Sequence, residues 1–326
     1  MKPGGCSVSI LSAFDAYQET VDADPAHVAL ARERRDIFVG ALGNADGVVE
    51  VVKSGSLQRR TQLEPIHDVD LIVVFDGEQH PSWGQPGASS AEALEHVHDL
   101  VVSRLGTGQG SVEQLVRLAL DRNRAVKCFI DPPEQEHAFT VDVMPVLRQA
   151  DGTLLLPSTK DELWSSANPE FLIGQVAERQ REWKYFRPMV RVLKDWRKDV
   201  QVEGKIKSLV MEVLALECLP LDVTRPSALR SFFTSAAVEV NWGVSDPAGY
   251  CGLIQPDLDV KGLRSGLEEA ADKADLACDL AARNDIDGAL RVWQELFGPD
   301  FPAPPKKPKG RTSAAPPPLI RDAPQG

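Results

Sequence analysis

A chain of 326 residues with 43% apolar and 26% charged residues has an ordinary globular composition and is long enough for two domains or one large composite domain. Its formal charge of −12 is uneven: Lys306, Lys307, Lys309, Arg311 and Arg321 against Asp322 make residues 301–326 net +4, which leaves −16 on the rest. An acidic body disfavours long RNA or DNA partners, and no apolar run approaches the ~20 residues that span a bilayer.

Met1–Gly5 lacks the apolar stretch of a secretory signal, so a cytoplasmic protein without membrane contact is expected. The five cysteines (Cys6, Cys128, Cys218, Cys251, Cys278) show neither a Cys-x-x-Cys spacing nor a nearby histidine cluster and read as reduced packing residues.

In chain order, helical spacing runs from Val8 to Thr20 and from Pro25 to Leu42, the second opened by Asp24-Pro25. Asp46 to Lys53 reads as a strand that leads into Gly55-Ser56, a short helix, and a second strand entered at Asp68-Val69-Asp70 and continued by Leu71-Ile72-Val73-Val74-Phe75. After a loop rich in Gly, Pro and Ser, helices are predicted over Ser90–Leu105 and Val112–Arg122, and strands over Ala125–Ile130 and Ala138–Val146. Beyond Pro157 the spacing is helical: 168–181, 183–199, 205–219, 225–242, 263–284 and 286–297. The change of period near residue 160 divides a mixed lobe (1–160) from a helical one (161–298), and the Pro-rich segment 299–326 carries too little apolar surface to order itself. The fold class is α+β.

Alternation along a strand puts Asp68 and Asp70 on one side and Val69 and Leu71 in the core. Two adjacent carboxylates repel unless a cation neutralises them, and oxygen-ligated Mg²⁺ or Mn²⁺ suits such a pair. Gly55-Ser56 can open a helix whose amides and hydroxyl hold a phosphate. Alone, an Asp-x-Asp is more often a pair of solvated strand-end residues, and a Gly-Ser is more often a turn. The order Gly-Ser, Thr61 five residues later, then Asp-x-Asp entering an apolar strand resembles the signature of nucleotidyltransferases with the polymerase-beta-like fold. That family requires a third carboxylate from a later strand, and Phe139 to Val146 supplies Asp142 between two valines.

Further on, Arg191-Val192-Leu193-Lys194-Asp195-Trp196 and Lys205 to Val213 resemble the lysine-bearing helix, and the serine at the start of the next one, in the CD-NTases, the bacterial relatives of cGAS and oligoadenylate synthetase. Ala289 to Gly298 is similar as well, so the resemblance spans about residues 25–300. It implies two divalent ions held by Asp68, Asp70 and Asp142, with β- and γ-phosphates oriented by Gly55, Ser56 and Thr61 and reached by Lys194 and Ser208 from the helical lobe. The implied activity is synthesis of a cyclic di- or trinucleotide from NTPs, ATP among them, in anti-phage signalling through a separate effector. Lacking a zinc-ligand cluster, the chain is not expected to answer to double-stranded DNA.

Some members of that family are joined through a C-terminal small residue by a ubiquitin-ligase-like partner, which makes Gly326 a candidate attachment point; a basic tether folding back on the acidic body is the other reading. The residues leave open an AMP-transferring toxin, a tRNA-end nucleotidyltransferase and a silent nucleotide-binding module. Base choice, linkage and ring size are not written in these motifs.

Overall fold

The computed structural model describes residues 9–106 and 115–304. Helix α1 (Ile10–Val21) opens on Ser9, whose hydroxyl accepts from the Ser12 amide in a reciprocal capping box, and α2 (Pro25–Gly43) opens on Asp24 with Pro25 in its first turn. Then come β1 (Val48–Lys53), the one-turn α3 (Gly55–Arg59), β2 (Asp68–Phe75) and α4 (Ser89–Leu105), followed by β3 (Leu118–Asp121), β4 (Val126–Phe129), β5 (Thr140–Arg148), β6 (Leu154–Ser158) and β7 (Leu163–Ala167). The sheet order is β1-β2-β5-β4-β3, with β6 paired to β5 and β7 to β6; β2 and β5 run parallel and every other pair is antiparallel.

Period two sorts the central strands cleanly. Val69, Leu71, Val73 and Phe75 of β2, Val141 and Val143 of β5, and Val126 and Cys128 of β4 are buried in one core with Phe38 and Leu42 of α2 and Leu94, Val97 and Val101 of α4. The other face carries Ile72, Val74 and Val146 in a smaller cluster with Val52 and Leu154, and it also carries Asp68, Asp70 and Asp142. Helices α2 and α4 cover one side of the sheet, and the carboxylates stand on the other, where the one-turn α3 begins against Asp70.

The remaining helices are α5 (Pro169–Glu182), α6 (Phe186–Trp196), α7 (Ser208–Cys218), α8 (Arg225–Glu239), α9 (Val260–Ala282) and α10 (Ile286–Phe297), with short 3₁₀ turns after α6 and α8. They share one large core that also takes in α1. Phe14 meets Trp293 and Phe301 edge-on at ring separations of 5.2 and 5.1 Å, so the first helix is held by the last one and by the segment after it. No described helix is long and apolar enough to cross a membrane.

Two expectations are corrected. The helix predicted over Val112–Arg122 is, in its described part, the strand β3: Leu118–Asp121 pairs residue for residue with β4, and that edge pairing outweighs a helical spacing that its short apolar run shares with a strand. The segment read as leading into helices instead holds β6 and β7, so the sheet continues to Ala167. The other helices lie where the spacing puts them, within a few residues at the ends.

Candidate active site

The parallel pairing of β2 with β5 sets Asp70 directly beside Asp142 and Asp68 beside Thr140. One carboxylate oxygen from each of Asp68, Asp70 and Asp142 lies within 4.8 Å of the others, a set able to hold a metal ion. The Thr140 hydroxyl lies 3.1 Å from Asp68 Oδ1 and 3.0 Å from the His67 carbonyl, with one proton to share between them. Asp142 Oδ1 is buried with no hydrogen-bond partner. Burial, then Asp68 and Asp142, raise the Asp70 carboxyl to about 6; burial, then Asp68, raise Asp142 to about 6. A buried oxygen without a donor, among carboxylates that raise each other's pKa, is the arrangement a hard cation would complete.

Gly55 follows β1 at φ +73°, and a Cβ there would run into the Asp70 carboxylate, so both the backbone angle and the space require glycine. The Ser54 amide donates to the Asp70 carbonyl at 3.0 Å, which stitches the turn to the carboxylate strand. Gly55 therefore lies against the Asp70 carboxylate, and Ser56 follows it in α3.

Thr61 and Lys194 have other partners. Glu212 of α7 is fully buried and accepts from Arg59 Nε at 2.6 Å and from the Thr61 hydroxyl at 3.0 Å, while Lys194 Nζ lies 3.7 Å away. Lys194 Nζ also donates to the Thr61 carbonyl at 2.6 Å, and Arg191 of the same helix donates to the Arg60 carbonyl at 2.9 Å while pairing with Asp22. Burial lowers Lys194 to about 8, opposed by Glu212 and reinforced by Arg59 and Arg197. Thr61 and Lys194 thus form, with Arg59 and Glu212, a buried knot that joins the end of α3 to α6 and α7. Ser208 is the first residue of α7, half-buried, one turn before Glu212.

Three residues of this region were passed over in the sequence. Arg59 bonds Glu212 and its charge also lowers Asp70, so it links the knot to the carboxylates. Glu212 stands alone in the apolar run from Leu209 to Leu216, and such a charge signals a buried partner. Lys127 lies across from Asp142 in the β4–β5 register, a neighbourhood that no spacing within one strand reveals.

A mixed sheet with three carboxylates on adjacent parallel strands, a glycine turn against them and a helical half behind is the polymerase-beta-like nucleotidyltransferase fold. No protein-family model matches the chain. It is 23% identical over 333 residues to a probable cyclic nucleotide synthase of Bacillus cereus (strain VD146), covering 90% of this chain and 97% of that protein. The structure of Escherichia coli MS115-1 CdnC with ATP superposes with a TM-score of 0.69 at 17% identity, over 91% of this chain and 99% of that one. The Bradyrhizobium diazoefficiens CD-NTase CdnG with GTP gives a TM-score of 0.62 at 11% identity, over 87% and 97%. The chain has the fold of the CD-NTases over nearly its whole length.

Proposed function

We propose that this protein is a CD-NTase: a nucleotidyltransferase that joins nucleoside triphosphates into a cyclic di- or trinucleotide, which a separate effector reads in anti-phage defence. The observation that carries this reading is the triad of Asp68, Asp70 and Asp142 on paired parallel strands, with Asp142 Oδ1 lacking a donor. Those three residues fit a divalent ion and would hold Mg²⁺ or Mn²⁺, two per site. Ions bound there supply Lewis acidity to an acceptor hydroxyl and offset charge on a leaving pyrophosphate.

The chain's own groups do the rest. The Thr140 hydroxyl lies beside Asp68 Oδ1. Gly55 keeps the space beside Asp70 free of a side chain, and its turn offers backbone and the Ser56 hydroxyl to the triphosphate. Lys194 and Thr61 act on the same phosphates from the junction, by fixing the end of α3 and by adding positive charge behind it. Ser208 opens α7 toward the same junction. ATP is a fitting donor, and the acidic body leaves free nucleotides better placed than long nucleic acids as substrates.

Incubation with each labelled NTP and Mg²⁺ or Mn²⁺, followed by phosphatase treatment, tests the reading. A small labelled product that resists phosphatase is expected. Label recovered on protein or on RNA ends would replace it with an AMP-transferring or RNA-end activity, and no incorporation of any kind would remove the enzyme reading.

A further inference from the structure

Val126 and Cys128 of β4 are buried under the helices, so period two turns Lys127 between them to the carboxylate face, in direct register with Asp142. Its Nζ lies 3.5 Å from Asp68 Oδ1 and 3.6 Å from Asp142 Oδ1, close enough to pair with both and too far to hydrogen-bond either. Its charge also reaches Asp70. One ammonium, 27% exposed, thus balances part of a three-carboxylate cluster from the side on which Asp142 keeps an oxygen without a donor. Arg59 on the far side is already committed to Glu212.

Resting on the reading that the triad holds divalent ions, we infer that Lys127 is a built-in counter-cation that competes with the ion for Asp68 and Asp142 and so sets the ion concentration at which the site fills. An ammonium within 4 Å of two ligand carboxylates would stand within a few ångströms of an ion held by the same oxygens. At that range, in a partly buried site, repulsion between a single and a double positive charge is several times thermal energy. The ion and the ammonium therefore exclude each other from the same oxygens. Lysine suits such a role, being a compact charge on a flexible four-carbon stem that can swing aside, whereas a guanidinium would fork onto the carboxylates and stay. Without the ammonium the carboxylates would repel one another in the ion-free protein; with it, filling the site costs its displacement.

The test uses the full chain without nucleotide and Mn²⁺ as the probe, with free Mn²⁺ followed by electron paramagnetic resonance. Lys127→Met and Lys127→Gln are expected to bind Mn²⁺ at least about tenfold more tightly than the wild type, while Lys127→Arg binds it no more tightly than the wild type. In EDTA the Met variant melts below the wild type, and Mn²⁺ raises its Tm by more. Asp142→Asn, which is expected to leave the free Mn²⁺ signal undiminished, identifies the triad as the site measured. Met and Gln variants that bind Mn²⁺ no more tightly than the wild type, with binding still lost in Asp142→Asn, would overturn the role of Lys127 and leave the triad standing. Mn²⁺ binding that is missing in the wild type, or that survives Asp142→Asn unchanged, would overturn both.

Discussion

Burial and Asp68 hold the Asp142 carboxyl at about 6, so its charged form is costly in the ion-free protein and useful only once a cation arrives. Asp142→Asn removes that charge at nearly constant volume. We expect product formation to fall by about a thousandfold or more while the Tm in EDTA stays level or rises, measured by chromatography of labelled products beside a thermal melt. Asp70 and Asp142 both titrate above the ordinary 3.8, which means that protons bind the folded protein more tightly than the unfolded chain. The sign follows: their penalty is absent below about pH 4 and fully present above about pH 6. In EDTA the protein should therefore lose stability between those values, the loss shrinking in Asp70→Asn. With Mg²⁺ the trend reverses, because ion binding needs the deprotonated carboxylates and fades below about pH 6. Melts at pH 5 and 7.5, with EDTA or Mg²⁺, check both limbs.

At the scale of elements, the buried knot joins α3 to α6 and α7 through one carboxylate facing two cations, Arg59 and Lys194, with Thr61 completing its acceptor sites. Removing the carboxylate leaves two buried positive charges uncompensated, so Glu212→Gln should cost on the order of 3–5 kcal/mol in urea unfolding. Adding Lys194→Met to that variant should recover part of the loss by removing one of those charges. A cost below about 1 kcal/mol would mean the knot contributes little to holding these helices together. The elements themselves differed in how well they could be read. β2 and β5 alternate at their starts, Asp68-Val69-Asp70-Leu71 and Thr140-Val141-Asp142-Val143, enough for period two to declare which face holds the carboxylates before both strands run on apolar on either face. β3 offers four residues, and Leu-Ala-Leu-Asp suits a helix as well as a strand until β4 supplies its hydrogen bonds.

Across the whole molecule the two ends of the described chain meet: Phe301, fully buried, packs on Phe14 and Tyr17, with ring separations of 5.1 and 5.4 Å. A chain cut after Pro304 should keep its Tm within a degree or two and its synthesis rate within about twofold, whereas one cut after Gly298 loses that ring and should lose about 3 kcal/mol. Paired denaturation curves of the two truncations decide it. Gly326 and the basic Pro-rich tail from residue 305 on lie outside the described residues. Attachment at that end stands as a proposal, tested by mass spectrometry of the native protein for a species linked through Gly326.

The sequence alone determined what is local. Alternation placed Asp68 and Asp70 on one face, a glycine marked the turn that must pass close to them, and a third Asp between two valines declared its strand. The change from short alternating runs to helical spacing announced a helical half behind a sheet. What only the tertiary structure decided is what depends on register and on partners far away in the chain. Asp142 meets Asp70, and Lys127 meets Asp142, because strands pair at particular residues, and no periodicity within one strand encodes that choice. The family resemblance implied that Lys194 and Thr61 meet a phosphate. Folding buries both beside Glu212, and a charge taken out of water must find its partner inside the protein before it can serve a ligand.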